Sequence, residues 1–289
     1  MSSISSPRRG FTKAPATATS ARPYGRFTAL LVAGQRPGVD ALAQHFGVRF
    51  KALIPVAGEA MLSRVARTLV THPAIGRVIV LAQDQAALTA DEGTAWLAEH
   101  PGIAFEEGGN SVSGAVTGAL ERNPRGYPFL LATADNPLLD HATIDAFIRG
   151  MGDADLAVAL VEKRILLAGY PQSRRTWLKF RGGAYSGANL FLLASRRVTG
   201  VLELWRTIEQ ERKRGRAVIG AFGPLMLLGV VLRILSLRQA IRIAGRRFGL
   251  RARAVTLPIA EACIDVDSVT DHSLVSAIFA RRAEADCEP

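Results

Sequence analysis

Cysteine is scarce in this chain: Cys263 and Cys287 are the only two among 289 residues. Cys287 lies in a polar tail, so nothing supports a structural disulfide or an oxidising compartment. The five histidines are scattered, and no Cys/His grouping has the spacing of a zinc site. No apolar run is long enough to span a bilayer, which takes ~20 residues. The candidate stretch, Ala217 to Leu232, is 16 residues and is interrupted by Gly220, Gly223, Pro224 and Gly229. Met1 to Arg26 lacks the apolar segment of a secretory signal. Ser, Ala, Thr, Pro and Arg dominate it, which fits a disordered basic arm better than an organellar transit peptide. The expected location is cytoplasmic.

Acid is missing from two places. Residues 1–39 hold six Lys/Arg and no Asp or Glu, and residues 196–253 hold fourteen Lys/Arg against three Glu. The formal charge of +11 therefore belongs to an arm and one later segment, and the remainder is mildly acidic. A nucleic-acid-binding surface would spread its positive charge differently, so no nucleic-acid partner is expected. There is no internal repeat. Neither G-x-G-x-x-G nor G-x-x-x-x-G-K-[ST] occurs, so a dinucleotide fold and a P-loop are both unsupported.

The chain does contain continuously apolar strands alternating with amphipathic helices. Phe27 to Val32, Arg77 to Ala82, Pro128 to Thr133 and Leu156 to Val161 read as buried strands, Ile103 to Phe105 as a short one, and Ala252 to Leu257 as a later one. Lys51 to Val56 reads as a further buried strand that Lys51 enters. Residues 60–72, 86–99, 114–121, 144–151 and 271–282 read as helices. The alternation predicts an α/β fold: three layers, a mostly parallel sheet with helices on both faces. The expected organisation is an arm over 1–26 and one domain over 27–289, with a basic helical insertion at about 196–251.

Four features carry candidate chemistry. Strand Phe27 to Val32 runs into Ala33-Gly34-Gln35-Arg36-Pro37-Gly38. A glycine there admits a phosphate close to backbone N–H groups, and Arg36 adds charge, although many α/β proteins place a glycine after the first strand. Lys51 either points its charge outward or neutralises charge building on a triphosphate. Asp135 follows the strongest strand, where ligand sites of open α/β sheets collect; it is either a Mg²⁺ ligand or a turn residue. In Asp265-Val266-Asp267, period-two spacing puts both carboxylates on one face of an extended segment, where one of them completes a metal site with Asp135 or both are solvated.

In their order along the chain, L-V-A-G-Q-R-P-G, F-K-A-L-I-P-V-A-G-E-A-M-L, T-A-D-N-P-L-L, S-G-A-N-L-F-L-L and I-D-V-D-S-V-T-D resemble the MobA-like NTP transferase family, over roughly 27–195 and 252–280. The resemblance implies a nucleotide-diphospho-sugar transferase-like (GT-A-type) fold and Mg²⁺-dependent transfer of a nucleoside monophosphate from an NTP to a phosphorylated small molecule. CTP or GTP is favoured over ATP by that likeness alone. It implies that Ala33, Gly34 and Gly38 lie along the nucleotide loop and that Lys51 and Arg36 act on the phosphates. Gly108, Gly109 and Ser113 would approach the base and ribose. Ser186, Gly187 and Asn189 would line the acceptor side, and Asp135 with Asp267 would hold Mg²⁺, Asp265 being the alternative. Here Gln35 replaces the second loop glycine, Pro37 interrupts the loop, and Phe50 stands where proline normally precedes the lysine. A nucleotide-sugar-dependent glycosyltransferase is the rival enzyme class, but it has no need of a triphosphate-clamping lysine. A non-catalytic nucleotide-binding protein at the membrane surface is the rival outside catalysis. The insertion, with Arg233, Arg238, Arg242, Arg246 and Arg247, is either a helical subdomain with exposed arginines or a peripheral contact with anionic membrane through 217–253, at the inner face.

Overall fold

The computed structural model describes residues 26–35, 38–109, 111–210 and 223–287. The arm up to residue 25, Arg36, Pro37 and residues 211–222 of the insertion lie outside the described residues.

Strands β1 (Phe27–Val32), β4 (Ile75–Ala82), β5 (Ile103–Glu107), β6 (Phe129–Thr133), β7 (Leu156–Glu162), β8 (Leu178–Phe180), β9 (Gly183–Leu193) and β10 (Ala252–Leu257) form one sheet. Its order is β10-β7-β9-β6-β1-β4-β5, with β8 paired to β9. Strands β1, β4, β5 and β6 pair parallel, as do β7 and β10. Strand β9 is antiparallel to β6, β7 and β8, so it alone runs against the rest. A small hairpin of β2 (Pro55–Val56) and β3 (Glu59–Ala60) stands apart from the sheet.

The helices are α1 (Ala41–His45), α2 (Met61–Thr71), α3 (Gln85–Thr89), α4 (Trp96–Glu99), α5 (Val112–Arg122), α6 (His141–Met151), α7 (Lys163–Gly169), α8 (Thr199–Gln210), α9 (Pro224–Val231), α10 (Leu237–Arg247) and α11 (Val269–Cys287). Both sheet faces are covered. Along β1, Ala29 and Leu31 pack with residues of α2, α6 and α11, whereas Leu30 and Val32 pack with residues of α5 and α8. Leu160 and Ala254 meet Leu237 of α10 on this second face. Two-sided burial explains why the central strands are almost uniformly apolar.

Two expectations change in detail. Lys51–Leu53 is a 3₁₀ turn and not part of a strand, because the N–H groups of Leu53 and Ile54 bond back to the carbonyls of Phe50 and Lys51. A short apolar run has no period that separates such a turn from a buried strand. The helix read over 86–99 is two short helices, α3 and α4, separated by a bend in which Gly93 N–H bonds the Asp91 side chain.

Candidate active site

The carboxyl ends of β1, β4, β5 and β6 open onto a cavity of about 580 Å³. The hydrogen-bond ladder continues just past the strand ends. Ala33 N–H bonds Leu81, Gly108 N–H bonds Ala82, and Ala134 N–H bonds Val32. These bonds hold three loops over the same opening.

Gln83, directly after β4, ties two of the loops together. Its amide accepts from Gln35 N–H at 3.1 Å and donates to the carbonyls of Gln35 and Gly109, each at 2.9 Å. A Cβ on Gly34 would lie 2.8 Å from that amide, so the glycine is what lets Gln83 close on the loop. Gln35, which replaces a family glycine, has its own function: its side-chain oxygen accepts from Lys51 N–H at 3.2 Å. The loop therefore fixes the backbone of the residue that carries the principal charge. Gly108 approaches β4 closely, and a Cβ there would sit 2.8 Å from the carbonyl carbon of Ala82.

The Lys51 ammonium lies between two carboxylates, 2.9 Å from Asp135 Oδ2 and 2.6 Å from Asp267 Oδ1. Burial lowers its pKa, but the paired carboxylates outweigh that effect and hold the ammonium well above its ordinary value. Asp135 is oriented by the Thr133 hydroxyl, which donates to Oδ1 at 2.5 Å. Asp267 arrives from far along the chain because Val266 N–H bonds the Asp135 carbonyl at 2.8 Å. Helix α11 secures the same segment: Ser268 donates to Asp271 at 2.7 Å, and the His272 ring meets the Pro55 carbonyl at 2.8 Å.

Asp265 is engaged elsewhere. One of its oxygens pairs with Arg175, and the other accepts from Asn189 Nδ2 at 3.0 Å. Arg175, 7% exposed, also bonds Asp271 at 2.9 Å. Burial pushes the Asp265 carboxyl up and Arg175 opposes this, with the rise prevailing.

Ala33, Gly34, Lys51, Gly108, Asp135 and Asp267 thus share the cavity wall. Gly38, at φ +109°, lies outside this lining, as do Gly109, Asp265, Ser186, Gly187 and Asn189. Ser113 is fully buried, and Glu209 covers it. Glu209, near the end of α8, accepts from the Ser113 hydroxyl at 2.6 Å, Ser113 N–H at 3.2 Å and Val112 N–H at 3.3 Å. Its carboxylate lines the cavity where the resemblance expected the serine. Gln83 and Glu209 were not among the expected residues. The position of Gln83 at a strand end was a usable signal; Glu209 gave none.

Two hard oxygen donors converge on one point, but among the described residues no group of three or more His, Cys, Asp or Glu surrounds it. Magnesium binds through one or two carboxylates when substrate phosphates supply further oxygens. The donor set fits an ion that arrives with a triphosphate.

Charge-neutralising groups gathered at the strand ends of a sheet with one reversed strand suit the movement of phosphorylated nucleosides, and the chain is a nucleotidyltransferase. Residues 29–222 match the MobA-like NTP transferase domain, and the chain belongs to that family. A hypothetical transferase from Thermus thermophilus is similar over 86% of this chain and 99% of its own, with 28% identity and a TM-score of 0.69. Two further structures share the fold, each covering 89% of this chain and 99% of their own. A CMP:2-keto-3-deoxy-manno-octonic acid synthetase complexed with CTP has 12% identity and a TM-score of 0.53. A 4-diphosphocytidyl-2C-methyl-D-erythritol synthase from Anaerococcus prevotii has 10% identity and a TM-score of 0.56. Comparison with curated proteins gave no significant match.

Proposed function

We propose that this enzyme transfers a nucleoside monophosphate from CTP or GTP to a phosphorylated small-molecule acceptor, with Mg²⁺ as cofactor and pyrophosphate as the second product. The observation that carries the reading is the Lys51 ammonium held between Asp135 and Asp267 on the wall of the strand-end cavity. The likeness to synthetases that make cytidylyl products, one of them complexed with CTP, supports the choice of nucleotide.

In such a transfer an acceptor phosphate oxygen attacks the α-phosphorus. The bond from that phosphorus to the oxygen bridging to the β-phosphate breaks, and pyrophosphate departs with the electron pair. Little covalent help is needed, so alignment and charge neutralisation supply most of the rate. The loop at Ala33–Gly34, braced by Gln83 and Gln35, positions the phosphates with its backbone. Lys51 turns from the carboxylates toward the triphosphate and stabilises charge developing on the leaving group. Asp135 and Asp267 would hold Mg²⁺, which would supply charge stabilisation to the phosphates. Gly108 keeps the cavity wall at the backbone beside β4. Ser186, Gly187 and Asn189, on β9, would serve the acceptor, as the family likeness implies.

The test is pyrophosphate release measured with each NTP and a panel of sugar and alcohol phosphates. Release is expected with CTP or GTP and one acceptor class, and is expected to be lost in Asp135→Ala. Full activity in that variant, or release of a nucleoside diphosphate from a nucleotide sugar instead, would overturn the proposal.

A further inference from the structure

Eight large hydrophobic side chains stand exposed among the described residues, and six of them belong to one region. Leu228, Val231, Leu232 and Ile234, each between 52% and 75% exposed, fall within seven consecutive positions at the end of α9 and the turn after it. Ile243 is on α10, and Leu178 is on β8, the strand that α9 contacts. Exposed apolar residues ordinarily occur singly, and a cluster of this kind marks an interaction surface.

The cluster is not a frayed end. The N–H groups of Leu232, Arg233 and Ile234 bond the carbonyls of Leu228, Val230 and Gly229 at 2.8–2.9 Å. The turn is anchored to the sheet, since Arg181 N–H bonds the Leu235 carbonyl at 2.9 Å. A capping box at Ser236 and Gln239 then starts α10. The fold therefore holds these side chains outward on ordered backbone.

The described segment that carries the cluster has charge of one sign. From residue 223 to residue 260 the chain holds seven Arg and no Asp or Glu. Arg238 and Arg242, one turn apart on α10, line a groove of about 470 Å³ together with Arg253 of β10. None of these three has an acidic partner among the described residues. Arg233 and Arg246 are also exposed.

We infer that this face docks on the surface of an anionic phospholipid bilayer. Leu228, Val231, Leu232 and Ile234 would enter the boundary between headgroups and acyl chains, and the arginines would meet lipid phosphates. A second copy of the chain would set cation against cation. A nucleic acid would satisfy the charge and leave the apolar residues in water. No helix among the described residues is long and apolar enough to cross a membrane, so the contact is peripheral.

The test is co-sedimentation of the full chain with vesicles of phosphatidylcholine, with and without phosphatidylglycerol, at low and high salt. Binding is expected only with phosphatidylglycerol and is expected to weaken as salt screens it. Arg238→Gln with Arg242→Gln should weaken partitioning about 25-fold, taking each arginine at an anionic surface as about fivefold. Val231→Gln with Ile234→Gln should weaken binding at both salt concentrations. The basic arm is present in every variant and serves as the internal control. Vesicle binding equal to that of the parent in both double variants would overturn the inference. So would failure of the parent to bind, or a dimer in sedimentation velocity that the apolar substitutions abolish without any vesicle binding. NTP-induced thermal shifts identify any variant that has lost its fold. In that case Arg238→Gln alone, expected to weaken partitioning about fivefold, decides the matter.

Discussion

The Lys51 ammonium and the Asp267 carboxylate, 216 positions apart in the chain, meet at 2.6 Å, and Asp135 closes the other side of the same ammonium. The lysine occupies the point on which the two carboxylates converge, so on the proposed mechanism it would compete with a cation for that place until a nucleotide drew it away. Free metal should therefore bind poorly and nucleotide-borne metal well.

Lys51→Met retains most of the stem and removes the charge. Pyrophosphate release is expected to fall about 100-fold or more, the usual loss when one donor to developing charge is removed. With the carboxylates relieved of their counter-charge, Mg²⁺ alone should raise the melting temperature of the variant and leave the parent unmoved. Parent-like behaviour in both assays would show the ion pair to be structural only.

Glu209 closes the amino end of α5 and also lines the cavity. Glu209→Ala should cost about 1–2 kcal/mol in urea unfolding, because partly buried donors at a positive helix end lose their carboxylate. The same variant should change KM for the NTP more than kcat, because the group lies on the wall and away from Lys51 in the bonding network. A change confined to kcat would place it with the reacting phosphates.

Gly108→Ala puts a methyl group 2.8 Å from the backbone of Ala82. Backbone cannot yield as a flexible side chain does, so a loss of about 1–3 kcal/mol in stability is expected, with a raised KM for the NTP. Thermal melts and steady-state kinetics would show both. An unchanged melt would mean that the loop can retreat from β4.

Burial pushes the Cys263 thiol up to about 11 from an ordinary 9.0, with Asp265 adding to the rise and Arg175 opposing it. The folded state holds this proton more tightly than the unfolded state does, so the contribution is complete below pH 9 and is lost as pH rises toward 11. Cys263→Ala should remove that part of the alkaline loss of stability, measured by urea unfolding across the range. At pH 8 iodoacetamide should leave Cys263 unmodified in the folded chain and label it once unfolded. Rapid labelling of the native protein would contradict the assignment.

The sheet was legible because strands buried on both faces must be largely apolar, and β1, β4, β6 and β7 are, apart from Thr28, Arg77, Thr133 and Glu162. Asp135 was legible because it follows the strongest of those strands. The antiparallel course of β9 was not, since strand direction leaves no mark on local periodicity. The 3₁₀ turn at Lys51 escaped because its short apolar run has the composition of a strand. Gln83 stood at a strand end, a signal that marked its place but not its partner 48 positions away, and Glu209 depends on a partner 96 positions away that no local pattern carries. Arg36 lies outside the described residues, so its expected part at the phosphates rests on the loop sequence alone.

The bond from Val266 N–H to the Asp135 carbonyl has a temporal consequence. A ribosome makes the phosphate loop, Lys51 and Asp135 long before it makes Asp267. A nascent chain, or one clipped ahead of this bond, would possess the nucleotide loop and its lysine while lacking one of the two acids. On the proposed reading, competence would wait for a segment made well after Asp135, and a single cut near residue 266 would part Asp267 from the lysine it meets.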